Sequence, residues 1–275
     1  MDSDSAMAPL AGAESAAGSA AGTAHGTAAG TAVEAAARRS AEAADGTAPV
    51  TVVAHRGDPY RVRENTLRSI ASAIERGADA VEVDVRLTKD GVPVLLHDDT
   101  LKRLWGHDRP LSALSHEQVG ELTYGGVPTL REALLAAGEH RLMLDLPGGD
   151  EDSVRTIVRT VRECGAGERV YYCAGAVAML QVRAADPHAE IALTWTSLAP
   201  PRPVLLDVVR PRWLNYRFGL VSRGLTERVH RDGMLVSAWT ADTSRTMRKL
   251  IKNGVDSVTT NRVDALAAVL RKARP

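Results

Sequence analysis

The 275-residue chain has little cysteine, no net charge and, over its first 49 residues, almost no large side chains. Cys164 and Cys173 are the two cysteines, too few for a disulfide framework and not at metal-ligand spacing, so they read as reduced interior residues. Thirty-four acidic residues balance 34 basic ones, and no surplus charge marks a nucleic-acid surface or a polybasic face drawn to a membrane. Neither a nucleic-acid partner nor stable membrane insertion is expected. Residues 1–49 consist mainly of Ala, Gly, Ser and Thr. Such a segment buries too little surface to offset its ordering entropy, and it reads as a disordered Ala/Gly-rich tail with transient helix around Val33 to Ala44. It has neither the basic start nor the leucine-rich core of a secretory signal, and the expected location is the cytoplasm.

From Val50 onward the chain has an ordinary globular composition, and strand-like runs alternate with helix-like ones. Strands are expected at 50–54, around 80–87, and at 141–146, 169–173, 190–195, 213–216, 234–239 and 256–260. Helices are expected at 65–76, 129–137, 153–164, 176–185, 203–209, 225–231, 244–253 and 263–272. In the first of these, Leu67, Ile70, Ala71 and Ile74 form the apolar stripe. Thr129 with Glu132 reads as a capping box. Residues 99–127 read as an irregular insertion with a short helix after Ser115. This rhythm predicts a TIM (β/α)₈ barrel over residues 50–275, with a β-hairpin extension and a small insertion after strand 2. An open nucleotide-binding sheet would want a glycine-rich phosphate loop after its first strand, and HRGDPY is not one.

Ala80 to Asp98, AVEVDVRLTKDGVPVLLHD, carries the densest chemistry. On a strand, Glu82 and Asp84 leave from the same face, roughly 6.5 Å apart along the chain. Burying two carboxylates among valines is costly unless a cation or hydrogen-bond donors compensate them. Asp90-Gly91 suits a two-residue type I′ turn, which pairs Lys89 with Val92 and sets Asp84 opposite His97. The two carboxylates and the imidazole then converge on one patch.

In a barrel of this kind the chemistry sits at the C-terminal ends of the strands. His55 and Arg56 end the first strand, and Asp145 closes the third within LMLDL. Glu82, Asp84 and Asp145 make a hard oxygen site suited to Mg²⁺ or Ca²⁺. Two histidines beside such a cation, with an arginine, suit phosphoryl chemistry: cation and guanidinium neutralise phosphate oxygens while one imidazole takes a proton and the other delivers one. Each residue also has a plainer reading. A lone strand carboxylate is commonly a salt-bridge partner, His97 could be a rim histidine, and Asp145 could belong to a strand running into a turn; their joint placement favours chemistry. Trp239 and Trp195 end later strands, where a tryptophan lines a pocket or simply packs. His107, His116, His140, His188 and His230 fall in loops or helices and receive no role.

AHRG at Ala54 to Gly57, ENT at Glu64 to Thr66, EVDVRLTKDGVPVLLHD at Glu82 to Asp98 and the late run VSAWTADTSRTMRKLIKNGVDSVTTN together resemble the glycerophosphodiester phosphodiesterase family over about residues 50–272. The resemblance implies a TIM barrel that hydrolyses a small-molecule glycerophosphodiester to glycerol 3-phosphate and an alcohol with Mg²⁺ or Ca²⁺, a reaction of lipid metabolism. It implies His55 and His97 as the acid/base pair, Arg56 as a phosphate ligand, and Glu82 and Asp84 as metal ligands. Glu64 would belong to the same polar site, in a supporting or ligand role. Two departures stand out. Where the family usually has Glu-x-Lys on the third strand, this chain has Asp145-Leu146-Pro147, and the usual late aspartate is Asn261. Asp145 can still take a metal, but its stem is one methylene shorter, and Pro147 carries no charge. Arg86, two residues beyond Asp84, is a candidate replacement cation. Three functions follow: a phosphodiester hydrolase first; second a specialised phosphoryl enzyme, either a lyase giving a cyclic phosphate or an enzyme of diphosphate esters; and third a barrel that binds a phosphorylated ligand without turnover.

Overall fold

A computed structural model describes residues 50–273; the expected tail lies outside the described residues. The β-branched run TVVA forms β1 (Thr51–Ala54), followed by α1 (Leu67–Glu75), β2 (Ala80–Leu87), β3 (Pro93–Leu95), α2 (Lys102–Trp105), α3 (His116–Thr123) and α4 (Leu130–Ala137). Strict alternation then sets in: β4 (Arg141–Asp145), α5 (Glu151–Glu163), β5 (Val170–Ala174), α6 (Ala176–Ala185), β6 (Glu190–Trp195), α7 (Pro203–Val209) and β7 (Trp213–Arg217). The chain continues through α8 (Arg223–Arg231), β8 (Leu235–Trp239), α9 (Ser244–Lys252), β9 (Ser257–Thr260) and α10 (Val263–Ala273).

The strands pair in the order β1-β9-β8-β7-β6-β5-β4-β2, and β1 pairs back onto β2, so eight parallel strands close into a barrel. The ninth strand, β3, lies antiparallel on the outer part of β2. This is the expected fold. Its interior holds Val53, Ala80, Met143, Tyr171, Cys173, Ala192, Trp213 and Leu235, while alternate residues such as Val81, Val83, Leu142 and Leu144 pack outward under the helices. Period-two alternation puts Glu82, Asp84 and Asp145 on the inward face that Ala80 and Met143 begin. At the N-terminal end of the barrel the interior is closed by charge. Arg141 Nη2 lies 2.9 Å from Glu190 Oε2, and Trp213 Nε1 donates to Glu190 Oε1 at 2.8 Å.

Three local expectations are corrected. Helix α1 begins at Leu67 with Thr66 as its N-cap; Asn65 stands outside it with φ 54°, and Ala71 faces solvent while Ser69, Ile70 and Ala73 are buried. The insertion is ordered around a core of its own, in which Val94 and Leu96 of the hairpin arm meet Leu101, Leu111, Leu114, Val119 and Val127. Its apolar residues recur at helical spacing in pieces too short to stand out from the polar sequence around them.

The hairpin register also differs. Val85 pairs with Leu95, Arg86 with Val94 and Leu87 with Pro93, which places Leu96 and not His97 opposite Asp84. The turn has three residues, Lys89-Asp90-Gly91, with Gly91 at φ 79°. Thr88 is the cause: its backbone N–H donates to Val92 O at 3.0 Å, its Oγ1 takes the Val92 N–H at 3.0 Å, and its hydroxyl donates to Asp90 Oδ1 at 2.6 Å. A side chain thus competes successfully with the two-residue turn.

Candidate active site

His97 still reaches the barrel mouth, because regular pairing stops at Leu95. Leu96 N–H donates to Asp84 O at 3.1 Å, and Arg86 Nε donates to the His97 carbonyl at 2.8 Å. The His97 ring is then fixed by Asp98, whose Oδ1 lies 2.7 Å from Nδ1. Arg86 spends its remaining reach on Asp99, 2.6 Å from Nη1. It therefore holds the His97 backbone and does not enter the site as a replacement cation.

The residues after β1 turn sharply. Arg56 has φ 56° and Gly57 φ 85°, both in the left-handed region, which is costly for arginine. Gly57 is required twice over, since a Cβ there would also stand 2.6 Å from the Ser69 backbone carbon. The turn aims Arg56 N–H at Glu82 Oε2, 2.8 Å away, and brings its Nε to 3.2 Å from Asp84 Oδ2. Asn65, also left-handed, clasps Asp84 from the other side: Nδ2 donates to Asp84 Oδ2 at 2.7 Å and Oδ1 accepts the Asp84 N–H at 3.1 Å. Its left-handed backbone keeps Asn65 out of α1, which starts at Leu67, two residues later than expected.

These elements gather His55, Arg56, Glu82, His97, Asp145 and Trp239 around one cavity of about 350 Å³ at the C-terminal mouth of the barrel. Glu82, Asp84 and Asp145 each offer an oxygen within 4.8 Å of the other two. Burial first, then repulsion from Asp84 and Asp145, pushes the Glu82 carboxyl well above its ordinary range. Burial and Asp84 push Asp145 up to about 7. His55 is held below its usual value by burial and by Arg56. Among the described residues lining this cavity, Arg56 alone carries a permanent positive charge. Three crowded carboxylates facing one guanidinium leave negative charge that a hard divalent cation would neutralise, and an all-oxygen donor set fits Mg²⁺ or Ca²⁺.

Glu64 does not line the cavity. It sits behind Arg56, taking Arg56 Nη1 at 2.9 Å and the Arg103 guanidinium at 2.7 and 3.1 Å. Arg103 Nε also donates to Asp98 Oδ2 at 2.6 Å, so one guanidinium from α2 braces the partners of both Arg56 and His97. Trp195 is likewise outside, its indole N–H donated to Ala199 O at 2.7 Å. The opposite wall of the cavity is neutral and polar. Thr194, Asn215 and Thr259 line it beside Cys173 and Trp239; Asn215 Oδ1, Thr259 Oγ1 and Trp239 Nε1 are buried without a protein partner.

The sequence profile of the glycerophosphoryl diester phosphodiesterase family matches residues 55–265. The chain belongs to that family. It is 28% identical over 242 residues to the glycerophosphodiester phosphodiesterase of Caldanaerobacter subterraneus subsp. tengcongensis, a match covering 80% of this chain and 98% of that relative. It is 34% identical over 128 residues to glycerophosphodiester phosphodiesterase 1 of Mus musculus, covering 46% of this chain and about a third of that relative (34%). Among solved structures, a phosphodiesterase of Oleispira antarctica in complex with its product sn-glycerol-3-phosphate aligns with TM-score 0.73 and 22% identity, over 81% of this chain and 97% of that one. A glycerophosphodiester phosphodiesterase of Thermotoga maritima aligns with TM-score 0.70 and 23% identity, over 80% and 98%. Both likenesses speak for the shared barrel. The family is one of enzymes, and among the described residues no helix is long and apolar enough to cross a membrane.

Several residues at the mouth escape a reading of the sequence. Asn65 and Asp98 sit inside the quoted motifs ENT and LLHD and could have been found there. Asp242 and Thr259 likewise fall inside the quoted late run, whereas Arg103, Thr194 and Asn215 lie in runs without a local signal, and only closure of the barrel brings them in.

Proposed function

We propose that the chain hydrolyses a small glycerophosphodiester to glycerol 3-phosphate and an alcohol, with the phosphate held over the carboxylate wall of the mouth. The observation that carries this reading is the cluster of Glu82, Asp84 and Asp145 facing His55, His97 and Arg56 across one cavity. Glu82, Asp84 and Asp145 would hold Mg²⁺ or Ca²⁺, which when bound neutralises charge on the non-bridging phosphate oxygens. Arg56 is the phosphate ligand from the protein, and Glu64 with Arg103 fixes its guanidinium. His55, kept neutral by burial and Arg56, takes a proton from the attacking water, and His97, backed by the Asp98 carboxylate, delivers one to the departing alkoxide. The neutral wall offers an amide acceptor, a hydroxyl and, from Trp239, an indole N–H, donor and acceptor chemistry suited to the glycerol hydroxyls. The product-bound Oleispira structure supports this choice of substrate. On this reading the reaction belongs to lipid metabolism, and the cytoplasm is its expected setting.

The purified protein should release glycerol 3-phosphate from glycerophosphocholine. A chelator should stop the reaction, Mg²⁺ or Ca²⁺ should restore it, and His55→Ala should abolish it. No turnover on a panel of phosphodiesters with either metal would sink the proposal. One observation favours a second reading. Pro147 stands at the cavity where the family usually has its lysine, and Arg86 is turned away. A specialised phosphoryl enzyme is therefore the alternative, in which a hydroxyl of the substrate replaces water as nucleophile and the product is a cyclic phosphate. Phosphorus NMR of the products separates the two.

A further inference from the structure

Behind His55 a short chain of hydrogen bonds runs away from the cavity. Asn261 Oδ1 faces His55 Nδ1 at 2.8 Å, and Asn261 Nδ2 donates to Asp242 Oδ2 at 2.8 Å. Asp242 Oδ1 accepts the Asn261 backbone N–H at 2.8 Å and the Thr260 hydroxyl at 3.1 Å, so both oxygens of the carboxylate are engaged. The loops after β8 and β9 that carry these residues are tied together by Ala241 N–H, which donates to Thr259 O at 3.0 Å.

An ionised carboxylate only accepts, whereas a primary amide has one donating and one accepting end. With its NH₂ committed to Asp242, the Asn261 amide presents only its oxygen to the imidazole. Nδ1 of His55 must then carry the hydrogen, and the lone pair is left on Nε2. That nitrogen is on the cavity side, 3.9 Å from Glu82 Oε2. His97 reaches the same state by a shorter route, because its Nδ1 faces a carboxylate directly. At His55 the carboxylate stands one residue further back, and the neutral amide between them has to be held the right way round.

We propose that Asp242 and Asn261 are positioning residues that set the tautomer of His55, and that Asp242 acts by orienting the Asn261 amide. The consequence for catalysis rests on His55 being the proton acceptor; the tautomer itself does not. Asp242→Asn removes the anchor: the NH₂ of the new amide competes for Asn261 Oδ1, the Asn261 amide turns over, and the imidazole hydrogen moves to Nε2. The exchange variant Asp242→Asn with Asn261→Asp restores the pattern, since the new carboxylate accepts from Nδ1 and the new amide donates to it.

The direct test is ¹⁵N NMR of histidine-labelled full-length protein near pH 8, with His55 assigned by difference against His55→Gln. The wild type and the exchange variant should carry the hydrogen on Nδ1 and Asp242→Asn should carry it on Nε2. With glycerophosphocholine and Mg²⁺, kcat of Asp242→Asn should fall by roughly a hundredfold or more, the scale of a wrong catalytic tautomer, with KM changed less than about threefold. The exchange should recover most of that loss, which a merely structural role for Asp242 would not allow. Hydrogen on Nε2 in the wild type, or a tautomer unmoved by Asp242→Asn, overturns the proposal. If Asp242→Asn does not fold, the wild-type spectrum and the exchange variant carry the test alone. A tautomer that moves while turnover does not would uphold the relay and remove His55 as the base.

Discussion

The crowded carboxylates give the protein a pH dependence of unusual sign in chelator. Asp145 ionises near 3.8 in an unfolded chain and at about 7 in the folded one, because burial and Asp84 oppose its charge. A raised folded value means that the native state binds the extra proton between those two values, so stability falls as pH rises through that window and levels off above it. About three units correspond to roughly 4 kcal/mol at full weight. The partly open rim at Asp145 reduces this to about 2–4 kcal/mol, or on the order of 5–12 °C in Tm for a domain of this size. Glu82 pushes in the same direction. His55 opposes both, since its lowered value adds stability as pH rises up to the ordinary histidine value, where the gain is complete.

A divalent cation should reverse the trend, because it binds the ionised cluster and displaces the proton. Its stabilising effect should grow with pH up to about 7, by as much as tenfold in apparent affinity per pH unit for each proton released. The assay is a set of thermal melts from pH 4.5 to 8.5, in chelator and in Mg²⁺ or Ca²⁺, repeated on Asp145→Asn. Subtracting the variant isolates Asp145 from His55 and from the acids that titrate lower. The wild-type difference curve should slope downward between pH 5 and 7 in chelator and flatten or rise with metal. A flat or rising difference curve in chelator, or a metal effect as large at pH 5 as at pH 8, would refute the reasoning that these carboxylates form a cation site.

Arg103→Ala should lower stability only slightly, by about 1 kcal/mol or less, because its guanidinium is nearly half exposed, yet lower kcat about tenfold as Asp98 and Glu64 lose their shared brace. A large loss of stability with unchanged kcat would contradict that division. Pro147→Lys places an ammonium at the cavity edge and should strengthen inhibition by glycerol 3-phosphate roughly threefold to tenfold, read from progress curves with added product; no change would mean that position 147 does not face the phosphate.

The barrel was legible because its signal repeats: each β-branched run followed by an amphipathic one is weak alone, but eight in series leave few architectures. The mouth was legible only where chemistry is local. His55 with Arg56 and Glu82 with Asp84 are neighbours in sequence, and a strand carries such neighbours to one place. The register expected from Asp90-Gly91 brings His97 to the mouth opposite Asp84, and that register does not occur. His97 arrives there because pairing ends before it and Arg86 and Asp98 hold it. No local pattern singles out Thr88, whose side chain lengthens the turn by one residue. Glu64 and Arg86 illustrate a different limit. Both were recognised as polar groups near the site, but whether a long charged side chain meets substrate or braces a neighbour depends on partners such as Arg103 and Asp99, which nothing in the adjacent sequence announces.

The altered third strand acquires a physical meaning on the proposed reading. On that reading a divalent cation and Arg56 would together balance the three carboxylates Glu82, Asp84 and Asp145 before a phosphate arrives. A phosphodiester brings one negative charge, while a phosphomonoester near pH 7 carries closer to two. With no further cation at Pro147, and with Arg86 and Arg103 committed to Asp99, Asp98 and Glu64, the second charge of the product would have only the protonated imidazole of His55 to offset its desolvation. A proline in place of the lysine would then weaken the hold on charge developing during the reaction and the hold on the product alike. An enzyme arranged in this way would give up some acceleration of the chemical step and gain in release of glycerol 3-phosphate.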